Sequence, residues 1–209
     1  MVGSEVIRLN LGCGPKRIDG WINVDYAIAA RLAKYPIVGP VLSRLFRNNW
    51  HPEIVIADLR KSFVWEDNSV DVVYSSHTLE HFSKLEGTEF LSECHRVVKP
   101  GGIIRIVVPD LQVLVKDYIS GRLAADDFVD ELDVLFVSDG SALRRLLAPY
   151  LQFPHRCMYN TVSLLRVMDE IGFNTEPKSP FEGAIVDVEK IELEHRTIDA
   201  VIAEGVKRY

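Results

Sequence analysis

Cysteine is scarce in the sequence, and the cysteines present are not paired. Cys13, Cys94 and Cys157 are odd in number, lie far apart and include no C-x-x-C spacing, which argues against a disulfide framework and a structural zinc site. Long apolar runs are also missing, since no stretch approaches the roughly 18 residues that a membrane span needs. The first residues carry neither a basic segment nor a long apolar one, so no signal peptide is expected. These absences predict a cytoplasmic protein without membrane insertion.

Positive charge is in short supply as well. The 209 residues include 24 Lys and Arg against 30 Asp and Glu, which gives a formal net charge of −6. Proteins that bind nucleic acid usually carry a basic face, and adjacent basic residues such as Arg144-Arg145 are too few here to form one. We therefore expect no nucleic-acid substrate. With 47% hydrophobic and 26% charged residues, the composition is that of an ordinary globular domain.

Short apolar runs alternate with helical stretches, a pattern typical of a doubly wound α/β fold with a mainly parallel sheet. Strands are predicted at residues 6–11, 21–25, 54–59, 70–75 and 103–108, and in the tail at about 197–205. Helices are predicted at about 85–98, ended by Pro100-Gly101-Gly102, and at Thr161–Ile171, ended by Gly172. Residues 174–190 show no clear pattern.

Residues 111–150 contain apolar and acidic residues at helical spacing, but the segment is too short to form a core of its own. We therefore predict a helical lid inserted into one domain that spans residues 1–209, rather than a second domain. If this lid moves, protease should cleave it near Ser138-Asp139-Gly140, and should do so less readily when cofactor and acceptor are bound.

Three predicted strand ends carry residues suited to a nucleoside ligand. The first strand runs into Gly12-Cys13-Gly14, where missing side chains allow either close approach to a ligand or a tight turn. Asp25 ends the second strand and can accept hydrogen bonds from both hydroxyls of a ribose. The Gly-x-Gly turn on the neighbouring strand favours this role over that of a solvated carboxylate. Asp58, in the third, can accept from an adenine amine, although a turn or N-cap role fits its position equally well.

The fourth strand is followed by His77, Glu80 and His81, three ionisable groups at the edge where open α/β sheets bind ligands. On a helix, His77 and His81 would share one face with Glu80 close by. Their spacing matches the H-x-x-E-H motif of some metallopeptidases, but that motif needs a helix and here it begins at a strand end. A dehydrogenase is also disfavoured, because Pro15-Lys16-Arg17 follows the glycines in place of a phosphate-binding helix.

Taken together, the segments LNLGCG, WINVDY, ADLRKSFVWEDNSVDVVYSSHTLEHF and FLSECHRVVKPGGIIRIVVPD resemble the class I S-adenosylmethionine-dependent methyltransferases, most closely the type 11 (UbiE-like) branch. The resemblance covers roughly residues 6–110 and, more loosely, 155–173. Within this branch the sequence is similar to small predicted methyltransferases associated with cell-surface polysaccharide synthesis. The resemblance implies a seven-stranded Rossmann-like sheet, S-adenosylmethionine as cofactor, and a small-molecule or saccharide acceptor that is methylated on oxygen. It leaves the oligomeric state open.

The same resemblance assigns residues to the cofactor. Gly12, Cys13 and Gly14 would form the loop under its methionine and ribose portions, Asp25 would hold the ribose hydroxyls, and Tyr26 would lie against the adenine. The remaining contacts would come from Asp58 and the backbone of Leu59 at the adenine edge, and from Ser76 and His77 beside the methionine portion.

The sequence departs from the family pattern near the glycines. Asn10 stands where the family usually has an acidic residue that helps to fix the cofactor's ammonium group, and Lys16 replaces a third glycine. Only eleven positions separate Gly14 from Asp25, so the first helix after the glycine loop must be missing or reduced to a turn. Residues 27–47, a helical pattern broken at Pro36 and Gly39-Pro40, are expected to cover that side instead.

Histidines are the candidates for the acceptor side. An alcohol loses a proton when it is methylated, and a base with a pKa near neutrality assists that loss by about 10²–10⁴. His77, His81 and His155 could serve, with Tyr159 as an orienting group, and His155 should face the acceptor because it follows the lid. In ubiquinone-pathway O-methyltransferases the equivalent segment can bind a divalent metal, as His77, Glu80 and His81 could here. The alternative to an enzyme is a non-catalytic sensor or partner subunit that binds the cofactor.

Overall fold

The computed structural model describes residues 6–34, 50–136 and 152–209. Its sheet comprises β1 (Arg8–Leu11), β2 (Ile22–Asp25), β3 (Val55–Ile56), β4 (Val70–Ser76), β5 (Val98–Pro109), β6 (Phe173–Pro177) and β7 (Ala200–Lys207). The order across the sheet is β3-β2-β1-β4-β5-β7-β6. Neighbours from β3 to β5 pair in parallel, and β7 pairs antiparallel with β5 and β6. The predicted doubly wound, mostly parallel seven-stranded sheet is confirmed.

Helices flank the sheet. They are α1 (Ile28–Ala33), α2 (Lys84–Val97), α3 (Leu111–Ile119), α4 (Ala125–Glu131), α5 (Thr161–Ile171) and α6 (Glu194–Thr197). Helix α2 begins at a reciprocal capping box, in which Ser83 and Glu86 each accept a hydrogen bond from the other's backbone N–H. Among the described helices, none combines the length and the apolar character that crossing a membrane requires.

Both faces of the sheet are buried, as a central parallel sheet requires. Strand β4 shows the alternation: Val73 packs into the larger core cluster with α2 and α5, whereas Val72 and Tyr74 face a second cluster. This second cluster is completed by Ile185, Val188 and Ile191. The stretch at 174–190 that shows no sequence pattern therefore contributes core residues, although between β6 and α6 the described structure contains only one short 3-10 helix, Val188–Lys190.

Several predicted boundaries are wrong. Strand β3 is limited to Val55–Ile56, and the last strand lies at Ala200–Lys207. Helix α2 ends at Val97, before the predicted Pro100-Gly101-Gly102 stop, because Val98 is already extended and begins β5. The proline and glycines form an irregularity within β5, whose register against β4 shifts between Val98 and Ile103. Strand β6 was not predicted at all.

The first helix after the glycine loop is missing, as predicted. Residues 15–21 form an irregular segment. The side-chain amide of Asn23 holds this segment in place, because it accepts a hydrogen bond from the N–H of Ile18 and donates to the carbonyls of Ile18 and Trp21. The buried amide of Asn10 donates to Asn23 Oδ1 at 2.9 Å. Asn10 therefore supports this segment from below. In the described part of residues 27–47, α1 is the helical cover, and residues 35–47 lie outside the described residues.

A buried ion network anchors the segment that precedes β7. Arg105 of β5 is fully buried and its guanidinium contacts both carboxylate oxygens of Glu192, at 2.9 and 3.0 Å, and Glu204 of β7 at 3.2 Å. It also donates to the carbonyls of Ser179 and Glu182. With so many acceptors, the buried guanidinium is well satisfied and joins three distant parts of the chain.

The predicted insertion begins as expected with two short helices, α3 and α4, which contact one another through the rings of Tyr118 and Phe128, 5.3 Å apart. Neither helix contains a fully buried residue. Residues 137–150, including the predicted cleavage point at Ser138-Asp139-Gly140, lie outside the described residues.

Candidate active site

A cleft of about 390 Å³ opens at the carboxyl ends of β1 to β4. The strand order reverses between β1 and β4, and open α/β sheets bind ligands at such a switch point. The predicted site residues that line the cleft are Gly12, Gly14, Asp25, Tyr26, Asp58, Leu59, His77 and His81. The lining that the structure describes does not include the other predicted residues, Asn10, Cys13, Ser76, His155 and Tyr159.

The two glycines of the loop have different reasons to lack a side chain. Both have positive φ, +75° for Gly12 and +68° for Gly14. A Cβ on Gly12 would lie 1.9 Å from Oγ1 of Thr78, so that space is filled by the protein itself. A Cβ on Gly14 would meet nothing nearer than the Arg196 guanidinium at 3.8 Å. Gly14, rather than Gly12, therefore leaves room for a ligand.

Asp25 fixes the loop to the start of α1. One carboxylate oxygen accepts from the N–H of Gly14 at 2.9 Å, and the other accepts from the N–H of Ala27 at 2.8 Å. Each oxygen retains a lone pair, so the carboxylate can still accept from a ligand in the cleft. Next to it, the ring of Tyr26 is stacked under the guanidinium of Arg31, 4.8 Å from its centroid.

Asp58 is held by a cation that also lines the cleft. The Arg60 guanidinium donates to both carboxylate oxygens, at 2.8 and 2.9 Å, and this hydrogen bonding holds the pKa of Asp58 below its usual value. Asp58 is therefore a charged acceptor at neutral pH. Leu59 is buried beside it, which leaves its backbone as the part available to a ligand.

Three arginines line the cleft, and they differ in their partners. Arg60 is paired with Asp58, and Arg156 is paired with Glu86 at 2.6 Å. Arg196 donates to the carbonyl of Ser76 at 3.2 Å, and in the described parts of the chain it forms no salt bridge. It precedes β7, which runs antiparallel to β5 and so begins at the edge where the other strands end. Arg196 is thus a cation above Gly14 to which the described residues supply no carboxylate partner.

His77 lies at the base of the cleft in a left-handed backbone conformation, with φ of 51°. Its Nε2 donates to the carbonyl of Arg196 at 2.9 Å, and its Nδ1 is 3.5 Å from a carboxylate oxygen of Glu80. Burial lowers the pKa of His77, so the ring is neutral at pH 7. Because Nε2 is engaged and Nδ1 faces Glu80, His77 is poorly placed to accept a proton from a ligand.

Glu80 places a buried carboxyl group beside the site. Its side chain is only 1% exposed, and neither carboxylate oxygen has a hydrogen-bond partner among the described residues. Burial raises the pKa of Glu80 to about 8. Its backbone carbonyl accepts from the N–H groups of Arg156 and Cys157, which holds the segment after the insertion against this turn.

His81 and His155 complete a cluster with Glu80. The two imidazole rings are 5.2 Å apart, and the three residues each bring one potential ligand atom within 4.8 Å of the others. His155 Nδ1 donates to the carbonyl of Leu132 at 2.9 Å, so the cluster touches the described end of the insertion. His81 Nδ1 is buried without a hydrogen bond, and burial lowers the pKa of His81. His81 lines the cleft, whereas His155 is not among the residues that line it.

The remaining predicted residues lie close to the cleft without lining it. Burial raises the pKa of the Cys13 thiol to about 12, so Cys13 is not a nucleophile at neutral pH. Ser76 contributes its carbonyl to Arg196, while its buried hydroxyl has no hydrogen bond in the described structure. Tyr159 belongs to the core, where its hydroxyl packs near Gly87 of α2. This position gives Tyr159 a packing role rather than contact with a ligand.

The cleft also includes residues that the sequence does not single out. They are Pro15, Ala27, Trp50, Arg60, Thr78, Phe82, Phe153, Arg156 and Arg196. Arg60, Thr78 and Phe82 lie within the segment that carries the family resemblance, whereas no motif marks Trp50, Phe153 and Arg156. The position of Arg196 follows from the topology of the fold. An antiparallel last strand begins at the edge of the sheet where ligands bind, so the residues that precede it lie at that edge.

Comparison with known proteins supports the class of the molecule. Residues 9–106, just under half of the chain, match the family model of the methyltransferase domain, type 11. Among solved structures, the PH0226 protein from Pyrococcus horikoshii is similar, with a TM-score of 0.53 and 14% identity, over 99% of this chain and 84% of that one. The YcgJ protein from Bacillus subtilis gives a TM-score of 0.51 and 14% identity, over 99% and 93%. A search of curated proteins finds no match.

The strand order, the cleft at the switch point and the matched domain define the class of this protein. It is an S-adenosylmethionine-dependent methyltransferase with a Rossmann-like fold. At such low identity the solved structures establish the fold alone, and the domain match carries the activity and the cofactor.

Proposed function

We propose that this enzyme transfers the methyl group of S-adenosylmethionine to a hydroxyl group of a small-molecule or saccharide acceptor. The observation that carries the proposal is His81, a neutral imidazole that lines the cleft and belongs to a cluster rich in lone pairs. A hydroxyl must lose its proton on methylation, and such a cluster can receive it. The segment Ser75-Ser76-His77-Thr78 at the end of β4 also lacks the N/D-P-P-Y/F tetrad suited to exocyclic amines of nucleic acids.

The cofactor is best accommodated across the switch point. Asp25 would accept from the ribose hydroxyls, Tyr26 would cover one face of the adenine, and Asp58 would accept from the adenine amine. Gly14 gives the open floor on which the methionine portion can lie. Asn10 and Cys13 support this floor from below, and Asn10 is committed to Asn23.

Arg196 is the group we assign to the carboxylate of the methionine portion. Its guanidinium lies above Gly14 and beside the carbonyl of Ser76, and the described structure supplies it with no carboxylate. Guanidinium groups bind carboxylates through two parallel hydrogen bonds, which are stronger than neutral ones. A cofactor carboxylate would therefore complete an ion pair that the protein leaves open.

Arg196→Met is expected to weaken binding of adenosylhomocysteine by about 10–100-fold, which corresponds to one lost charged hydrogen-bond pair of about 1.5–3 kcal/mol. Binding of methylthioadenosine, which lacks the amino-acid portion, should change by less than about threefold. Titration calorimetry with both ligands makes the comparison. Arg156→Met is the matched control, since Arg156 also lines the cleft but is paired with Glu86. Equal losses for both ligands would mean that Arg196 supports the fold instead.

The acceptor would occupy the part of the cleft bordered by Phe82, Phe153 and Trp50. Aromatic rings pack against the apolar face of a sugar or ring compound. The indole N–H of Trp50 is buried without a hydrogen bond among the described residues, and Arg156 supplies further donors. This combination of apolar walls and donors is suited to a hydroxylated acceptor.

The reaction balances without further reactants. The acceptor oxygen attacks the methyl carbon in line with the sulfonium, the O–CH₃ bond forms, and the S–CH₃ electron pair stays on sulfur as adenosylhomocysteine. The hydroxyl proton would pass to the neutral imidazole of His81, which would release it to water after the transfer. The main tasks of the protein are to position the two reactants and to exclude water, which together can lower the barrier by roughly 7–11 kcal/mol.

The proposal is tested by product chemistry. The purified protein is incubated with methyl-labelled S-adenosylmethionine and with sugar glycosides, phenols and amines of matched size. We expect label in a base-stable methyl ether of a hydroxylated acceptor. Transfer to amines alone would contradict the proposal. Binding of adenosylhomocysteine without transfer to any acceptor would instead support the sensor that the sequence leaves open.

A further inference from the structure

We propose that Glu80, His81 and His155 form a binding site for a divalent transition-metal ion at the wall of the cleft, with zinc as the best match. One potential ligand atom from each residue lies within 4.8 Å of the other two. A tetrahedral ion with bonds of about 2.0–2.2 Å places its ligand atoms roughly 3.4 Å apart. Side-chain rotation can close the difference, and His81 and His155 are only partly buried.

The first argument is an excess of acceptors. Among residues 6–34, 50–136 and 152–209, neither oxygen of Glu80 nor Nδ1 of His81 has a hydrogen-bond partner, although all three atoms are buried. A buried carboxylate without a partner is costly, and native proteins pair such groups with a cation or a donor. The contact of Glu80 with His77 at 3.5 Å is too long and poorly directed to satisfy it. A metal ion would satisfy these atoms together.

The second argument is the state of His155. Its Nδ1 donates to the carbonyl of Leu132 at 2.9 Å, which leaves Nε2 unprotonated in the neutral ring. Histidines that ligate metals typically donate their other ring N–H to a carbonyl or carboxylate, which fixes the tautomer and the ring orientation. His155 is arranged in this way, and the backbone N–H of His155 is also held, by the carbonyl of Asp133 at 2.7 Å.

The donor set indicates the kind of ion. Two imidazoles and one carboxylate are the ligands of catalytic zinc sites, in which a fourth position remains open to water or substrate. Since His81 lines the cleft, that open position faces the acceptor space. With an ion bound, the lone pair of His81 would be occupied, and the ion would promote loss of the hydroxyl proton to water by holding the acceptor oxygen. This use of the ion rests on the proposed function, whereas binding of the ion does not.

This ligand set differs from the His77, Glu80 and His81 set that the sequence spacing favours. His77 Nε2 is committed to the carbonyl of Arg196, and the strand-end turn between His77 and His81 is not an α-helix. His155, from 74 positions further along the chain than His81, takes its place. The two sets therefore predict different effects for His77 and His155.

The test uses the full chain, freed of metal with a chelator and titrated with Zn²⁺. We expect one equivalent to bind at micromolar or tighter affinity, and Glu80→Gln, His81→Gln and His155→Gln each to weaken binding by at least about tenfold. His77→Gln should bind within about threefold of the unchanged protein. His95→Gln is the matched control, since His95 packs on Phe173 elsewhere in the fold. Co²⁺ in place of Zn²⁺ should give the visible absorption of a low-coordinate nitrogen and oxygen site.

Adenosylhomocysteine binding is measured on the same samples. No stoichiometric zinc uptake, with adenosylhomocysteine still bound, would overturn the metal site and leave the proposed function standing. Zinc uptake that His77→Gln abolishes and His155→Gln preserves would overturn the ligand set. If a variant fails to fold, the cobalt spectrum of the unchanged protein still decides, because a spectrum of hexaaqua Co²⁺ alone would also overturn the site.

Discussion

Asp25→Ala is expected to lower the affinity for adenosylhomocysteine by roughly 100-fold or more. The two ribose hydroxyls would donate to this carboxylate, and hydrogen bonds to a charged group contribute about 1.5–3 kcal/mol each. A loss of about 3 kcal/mol already corresponds to roughly 10²-fold in the dissociation constant. The substitution also frees the N–H groups of Gly14 and Ala27, which the carboxylate holds. The loop would therefore lose its shape together with its ligand contact.

Calorimetry and thermal unfolding with and without ligand measure the effect. For the unchanged protein, ligand at 100 times the dissociation constant should add about 2.7 kcal/mol to the free energy of unfolding, and Asp25→Ala should lose most of this gain. Asp19→Ala is the control, since the side chain of Asp19 is 89% exposed and pairs with Arg17 outside the cleft. Unchanged ligand affinity in Asp25→Ala would refute the proposed position of the ribose.

Arg105→Met is expected to lower the free energy of unfolding by about 3–5 kcal/mol. The substitution removes the cation but leaves the carboxylates of Glu192 and Glu204 buried, and breaking a buried ion pair from one side typically costs this much. The segment from Ser179 to Glu192 would also lose the guanidinium that binds its carbonyls. This segment covers the face of the sheet on which the second core cluster lies, so the packing of that face depends on Arg105.

Urea unfolding followed by circular dichroism provides the measurement. Arg122→Met is the matched control: Arg122 pairs with Asp117, but its side chain is 67% exposed, and exposed pairs contribute about 0–1 kcal/mol. The triple variant Arg105→Met, Glu192→Gln, Glu204→Gln should recover part of the loss, because it removes the unpaired charges. A single variant as stable as Arg122→Met would show that the network contributes little.

The sequence predicts the central strands of the sheet because their side chains carry the signal. In the buried parts of β4 and β5 most side chains are β-branched or otherwise apolar, a composition typical of a strand that is covered on both faces. Strand β6 gives no such signal, since Phe173 is its only buried residue and it pairs with β7 alone. Three residues of the second core cluster lie outside regular strands and α-helices: Ile185, Val188 and Ile191. Their spacing therefore shows no helical or strand periodicity in the sequence.

For the site, the sequence predicts those residues whose position depends on the ends of nearby strands. Asp25, Asp58 and His77 lie at the cleft because they follow strands that end at one edge of the sheet. Arg196 and Phe153 reach the cleft from segments whose position depends on tertiary packing, and their local sequence contains no motif. His155 lies beside the insertion, as the sequence predicts, but its ring is next to that of His81 and it is not among the residues that line the cleft.

The contact between Gly12 and Thr78 has a consequence for the evolution of this protein. Because a Cβ at position 12 would occupy the space of the threonine hydroxyl, position 12 cannot gain a side chain while Thr78 is present. Among natural relatives with the same backbone, a chain that acquires alanine at position 12 should already have a smaller residue at position 78. Selection on the glycine of this loop would then record the packing history of the turn that follows β4, and its persistence alone would be no evidence that a ligand touches it.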